Sequence, residues 1–331
     1  MNFPWQTLQP SFQKAGSSKR LRWVAIALIC FVIALGAGYA FVAPPADTPS
    51  AKIVTISRGM SARDVANELA DERIIAHPEL LYLLLRISGA GGNISAGSYR
   101  FTDPENLLTV FHRITTAAYG LPPVRLTFIE GATVRDIGAR VAAALPGVSE
   151  ADFVREGEPY EGYLFPDTYF FSSSSDATTI IATMRANFYA KMQPLLPDIA
   201  ASGHSLSAIV TMASLLEKEA RTDTDKRIVA GILWNRIARG MPLQVDAVFG
   251  YIRGRDTYAP SLADLTVDSP YNTYMHKGLP PGPIDNPGLA SLLAALHPIK
   301  TDYLYYLTGK DGLMHYATTY AGHQANLRKY L

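Results

Sequence analysis

The sequence predicts an α+β chain in three parts: a single N-terminal transmembrane helix, a small α+β module, and a mainly helical α+β domain. Three observations carry this. Residues 23–43 form an uncharged run, a strand–turn–helix signature at 54–65 recurs at 126–137, and apolar positions beyond about 150 repeat mostly at helical spacing. The 331 residues are 48% hydrophobic, too apolar for a disordered chain. With 30 Lys+Arg against 29 Asp+Glu, the charge is too balanced for a generic nucleic-acid binder, and no nucleic-acid partner is expected.

The first element runs from Trp23 to Ala43 (WVAIALICFVIALGAGYAFVA). A helix rising about 1.5 Å per residue needs about 20 such residues to cross a bilayer. Ahead of it the tail 1–22 carries Lys14, Lys19, Arg20 and Arg22 and no acid, leaving 26 basic against 29 acidic groups beyond. The positive-inside rule then holds the N-terminus in the cytoplasm and sends residues 44–331 outside, as a single-pass protein of the cell (inner) membrane. A cleaved signal peptide is the alternative. Its apolar core would be unusually long, and Ala-Phe-Val-Ala before Pro44 is a poor cleavage site. The only cysteine, Cys30, falls in this run, so the exported part has no thiol and excludes cysteine catalysis and Cys-ligated zinc.

After a Pro-containing tether (44–51), Val54–Val65 aligns with Leu126–Ile137 at a constant offset of 72 residues. Each copy is a short β-branched or aromatic run, a glycine turn, then Ser61 or Thr133 three residues before Asp64 or Asp136, a pattern that caps a helix. Between the copies, 78–87 (PELLYLLLRI) reads as a helix, 96–101 as a strand and 106–115 as a helix. Residues 52–117 thus form a small α+β module that resembles a LysM-like unit, which in walled bacteria binds glycan. Gly89 and Gly91 begin no dinucleotide fingerprint, because position 94 is Ile and the run follows a helix.

In the last part, helices are expected at 176–193, 205–220, 224–239 and 288–296, separated by Pro/Gly- and aromatic-rich loops at 159–171, 241–260 and 269–287. Long ordered loops of this kind carry chemistry. The helix Leu206–Ala220 has an apolar stripe through Ile209, Val210, Ala213 and Leu216, and ends in Glu217-Lys218-Glu219. At i,i+2 the two acids project about 200° apart, so one can stay solvated or salt-bridged while the other enters a cleft. Periodicity does not choose between them, and an exposed helix end is the alternative. A carboxyl in apolar surroundings has a raised pKa and can act as a general acid. Downstream, Gln244 and Asp246 would point the same way if the 243–251 segment is extended. Tyr271, Asn272 and Tyr274, in a rigid Pro/Gly loop, offer stacking faces and amide hydrogen bonds suited to sugar rings.

Together, MASLLEKEA (212–220), LQVD (243–246), YNTY (271–274), GLPPGPI (278–284) and AALHP (294–298) resemble the YceG/MltG family of endolytic murein transglycosylases, as do EGYLFPDTY (161–169) and YLYYL (303–307). The resemblance implies a YceG-like catalytic domain over 124–331, with the catalytic glutamate on the second acid of the E-K-E motif, Glu219. It implies that Gln244, Asp246, Tyr271, Asn272 and Tyr274 line the glycan cleft, with Glu161 and Asp167 in a less defined part of it. Val245 stands where the family usually has Thr. The implied reaction cuts the MurNAc-β-1,4-GlcNAc bond within peptidoglycan strands and leaves a 1,6-anhydro end. It needs no cofactor and no metal, and the implied partners are the glycan strands and the peptidoglycan synthases that make them.

Competing readings are a hydrolytic muramidase, with Glu161, Asp167 or Asp246 as second carboxylate, and a noncatalytic glycan-binding scaffold. Zinc hydrolysis fits poorly, since His276, His297, His315 and His323 belong to no HExxH motif. Serine hydrolysis lacks a G-x-S-x-G elbow.

Overall fold

A computed structural model describes residues 17–57, 59–254 and 260–331. The tail 1–16, with Lys14, lies outside the described residues, as do the side chains of Lys19 and Arg20. The described chain mixes helix and strand, with helix predominant, and divides into two compact units at Leu121/Pro122.

The first unit opens with α1 (Ser17–Val42). Within it Arg22–Val42 is long and apolar enough to cross a membrane, and none of that stretch is buried in the protein. Most of its apolar side chains are exposed, which suits lipid rather than water, and its end meets the unit through Phe41 on His77 and Val42 against the core. Then follow β1 (Lys52–Ile56), α2 (Ala62–Asp71), α3 (Pro78–Ile87), β2 (Gly97–Phe101) and α4 (Leu107–Thr116). β1 and β2 pair antiparallel, Lys52 opposite Phe101 and Ile56 opposite Gly97. The alternation of Val54 and Ile56, Tyr99 and Phe101 buries one face of this two-stranded sheet against Leu69, Leu81, Leu85 and Ile114.

The second unit contains β3 (Val124–Thr127), α5 (Val134–Ala144), α6 (Glu150–Gly157), β4 (Thr168–Phe171), α7 (Ala177–Met192), α8 (Leu196–Ser202), α9 (Leu206–Glu219), α10 (Asp223–Ala238), α11 (Ala247–Arg253), α12 (Leu289–Leu296), β5 (Tyr305–Thr308), β6 (Met314–Ala317) and α13 (Tyr320–Tyr330). The four expected helices appear as α7, α9, α10 and α12. The repeated signature also folds as read. Ser61 and Thr133 each accept the N–H three residues on, and Asp64 and Asp136 return the bond to the cap, so both helices start with a capping box. The loops are shorter than expected: β4 occupies the end of 159–171, and α11 interrupts 241–260, of which 255–259 lie outside the described residues.

α9 is central rather than one-faced. Every residue from Ile209 to Leu216 is buried, against Val229 and Leu233 of α10, Val248 and Phe249 of α11, and Leu292 and Ala295 of α12. Ser214, within this stretch, accepts the Ile284 N–H at 3.0 Å and so fastens the GLPPGPI loop to the helix. Gly162 turns with φ +85° where a Cβ would stand 2.4 Å from Pro283, which only glycine permits. α9 therefore holds the Gly162 loop and the GLPPGPI loop together.

Candidate active site

α9 stops at Glu219 because Ala220 turns to extended backbone. The two acids of its last turn then diverge. Glu217 Oε1 accepts Lys226 Nζ at 2.9 Å, and its Oε2 accepts the Gly288 N–H at 3.0 Å and the Ser291 hydroxyl at 2.7 Å. Desolvation opposes its charge, but Lys226, Ser291 and Gly288 more than offset that, and its pKa is lowered. Glu217 is a spent, ionised joint.

Glu219 has different company. Its Oε2 accepts the Tyr306 hydroxyl at 2.8 Å. Burial pushes its pKa up to about 7; the Tyr306 hydrogen bond opposes this, the charge of Asp246 adds to it, and the Ala247 N–H and Arg236 oppose it. The carboxyl end of a helix gives an anion no help either. Tyr306 is itself held protonated, well above the ordinary phenol range, by burial and the neighbouring acid. Glu219 is therefore a carboxyl that carries its proton near neutrality and keeps a permanent donor for the anion it leaves.

The surrounding groups are tied to the scaffold. Arg236, buried on α10, donates from Nε to Leu304 O at 2.7 Å and from Nη1 to Leu243 O at 2.7 Å, joining the approach to β5 to the LQVD segment. Tyr274 donates to Asp246 Oδ1 at 2.5 Å.

Beside this acid lies a cavity of about 620 Å³. Lys218 and Ala247, next to Glu219 in sequence and in hydrogen bonding, are on its wall, whereas Glu219 itself is not. Glu161 is on the wall and only 8% exposed. It sits at the start of α5, with Oε1 accepting Val134 N–H at 3.1 Å and Asn286 Nδ2 at 2.8 Å. Burial raises its pKa to about 7 against those hydrogen bonds, and Asp136 adds to the rise. Tyr251 and Tyr271 share a hydroxyl hydrogen bond on the same wall, their rings 5.0 Å apart.

The expected residues thus fall into groups. Asp246 and Tyr274 surround Glu219, and Tyr271 and Glu161 face the cavity. One expectation is corrected, and two residues sit apart from these groups. The 243–246 segment is not extended, since Gln244 has φ +52° and Asp246 is helical, so the two side chains do not alternate as in a strand. Asn272 is fully buried, donating to Leu265 O and Val267 O and accepting the Tyr274 N–H, which spends its amide on the loop itself. Asp167 is exposed, bound to the Thr168 N–H and Asn187 where β4 begins, and is not on the cavity wall. Sequence reasoning passed over Tyr306, Arg236 and Asn286. The available signals were a tyrosine run in a strand, an arginine just after an apolar stretch (228–234) of a helix, and an Asn-Pro-Gly turn ahead of a helix.

Comparison with known proteins gives the family. The model of the YceG-like family matches residues 54–329. An endolytic murein transglycosylase of Bacillus subtilis is 30% identical over 312 residues, 86% of each chain. One of Streptococcus pneumoniae (strain D39) is 32% identical over 211 residues, 62% of this chain and 35% of the relative's length. Among solved structures, a yceG-like protein of Listeria monocytogenes superposes with a TM-score of 0.57 at 30% identity, covering 83% of this chain and 99% of that one. With a core built around α9 and a family match running from β1 into α13, this chain belongs to the YceG-like family.

Proposed function

We propose that this protein is an endolytic lytic transglycosylase that cuts the MurNAc-β-1,4-GlcNAc bond inside peptidoglycan strands, with Glu219 as its acid and base. The observation that carries the reading is a partly buried carboxyl poised at about 7 with a tyrosine donor behind it. Protonated Glu219 donates to the departing glycosidic oxygen as positive charge develops at C1. The carboxylate left behind, held by Tyr306, takes the proton of the C6 hydroxyl of the same muramyl residue. That oxygen closes on C1, leaving a 1,6-anhydro end and Glu219 protonated again. Water is not consumed, so one carboxyl suffices.

A hydrolase needs a second, ionised carboxylate to activate water or attack C1. The candidates serve this badly: Glu161 is pushed up to about 7, Asp246 already accepts Tyr274, and Asp167 is away from the cavity. The apolar helix α1 supports a single-pass anchor with a cytoplasmic N-terminus, which would bring cleavage close to the membrane, on newly made strands. Strand termination beside a peptidoglycan synthase is what the family resemblance adds to this reading. The two antiparallel strands of the first unit, joined through α2 and α3 and backed by helices, support a LysM-like glycan-binding role for residues 52–117, apart from the catalytic domain at 124–331.

Digestion of purified peptidoglycan strands, read by mass spectrometry, tests the chemistry. Products one water lighter than reducing-end muropeptides are expected, and Glu219→Gln should cost about 10²–10⁴-fold in rate. Reducing ends, or an active Glu219→Gln variant, would sink the assignment.

A further inference from the structure

Arg236, in the last turn of α10, is a buried charge that the acid–base step leaves unused; it is 5% exposed. A guanidinium does not shed its charge in a protein, and burying a cation without a carboxylate partner is costly. Its hydrogen bonds among the described residues all go to carbonyls: Nε to Leu304 O at 2.7 Å, and Nη1 to Leu243 O at 2.7 Å and Pro242 O at 3.5 Å. Leu304 lies two residues before Tyr306, whose hydroxyl meets Glu219. Leu243 lies four residues before Ala247, whose N–H faces the same carboxyl. One guanidinium thus fixes both segments that bring donors to Glu219. We propose that Arg236 is a positioning residue for proton transfer: its fork sets the Tyr306 hydroxyl and the Ala247 N–H on Glu219, and its charge is the counterion of the carboxylate that Glu219 becomes. The inference rests on the reading of Glu219 as the acid.

A bridge between two carbonyls needs only N–H donors, and an uncharged amide side chain supplies them without a buried charge. What a cation adds is its field. While Glu219 holds its proton, that field meets a neutral group. When the proton passes to the glycosidic oxygen, a negative charge forms within it. The attraction is therefore stronger in the transition state than in the resting enzyme, which is the condition for a gain in rate. The groups facing the carboxyl are Tyr306 from β5, Asp246 and the Ala247 N–H at the start of α11, and Arg236 from α10. Asp246 opposes the carboxylate and Arg236 favours it. Around the guanidinium stand Tyr274, the Tyr305 ring at 5.4 Å, Tyr306, and His323 of α13, which burial and the cation hold towards its neutral form. Without the cation, Asp246 acts unopposed and Glu219 keeps its proton to higher pH.

The test follows kcat for peptidoglycan strand cleavage across pH with the full-length protein in micelles. Parent, Arg236→Gln and Arg236→Lys are compared, with Glu219→Gln as the blank and melting curves to confirm the fold. Arg236→Gln should lower kcat at its optimum about tenfold or more and move the basic limb up by about half a unit or more. Arg236→Lys keeps the charge but not the fork, so its kcat should fall while its limb stays with the parent's. Slower cleavage by both variants with neither limb moved would mean a merely structural bridge and overturn the proposal. Limbs displaced equally in both would overturn the counterion role, and an Arg236→Lys variant as fast as the parent would overturn the fork. If Arg236→Gln fails to fold, Arg236→citrulline, neutral and nearly the same shape, takes its place with the same expected limb shift. A Glu219→Gln blank that cleaves at the parent rate would instead overturn the acid assignment beneath the proposal.

Discussion

Glu219 Oε2 accepts the Tyr306 hydroxyl at 2.8 Å, and that contact favours the carboxylate over the acid. Its removal has a signed consequence. In Tyr306→Phe the Glu219 pKa moves further above its present value of about 7, so the basic limb of the kcat profile shifts to higher pH. The carboxylate formed on proton donation also loses its partner. A hydrogen bond to a charged group is worth about 1.5–3 kcal/mol, so kcat at the optimum should fall roughly ten- to a hundredfold. A pH series of strand cleavage checks this. Lower activity with an unmoved limb would mean that Tyr306 merely supports β5.

At the scale of elements, Glu217 is the joint between helices: it sits on α9, takes Lys226 from α10, and caps the start of α12 through Gly288 and Ser291. The Glu217 and Lys226 side chains are only 10% and 6% exposed, so breaking the pair strands a buried cation. Glu217→Gln should cost about 3–5 kcal/mol, and adding Lys226→Met should recover much of it. Denaturant unfolding of the two variants decides. The pH sign is also set. Because the folded pKa of Glu217 is lowered, its contribution is present above the unfolded carboxylate value and is lost as pH falls through the folded one. The i,i+2 spacing of Glu217 and Glu219 was legible in the sequence. Which of them is the joint was not, because Lys226, Ser291, Tyr306 and Asp246 reach the helix end from 9, 74, 87 and 27 residues away along the chain.

For the whole molecule, the asymmetry of charge about α1 sets a topology prediction. Replacing Lys19, Arg20 and Arg22 by glutamate should reverse or scramble insertion, since the flanking cations orient a single span. Protease accessibility of the second unit in intact spheroplasts reads this: exposed in the parent, protected in the variant. Protection in the parent would overturn the proposed orientation.

Local physics made much of the chain readable. A long uncharged run, two capping boxes and four apolar-periodic helices depend on residues within a few positions of one another, and they appear where the sequence places them. Family motifs pointed to Glu219 as the acid. Tertiary structure alone decided the environment of that acid: burial at the end of a central helix, a hydroxyl donated from a distant hairpin, and the field of Asp246. It also tied the Asn272 amide to its own loop and brought Glu161 to a cavity with Tyr251 and Tyr271. The division has one physical cause. Helix starts and spans are set by neighbours in sequence, whereas desolvation and Coulomb interactions depend on distances in space that only the folded chain establishes.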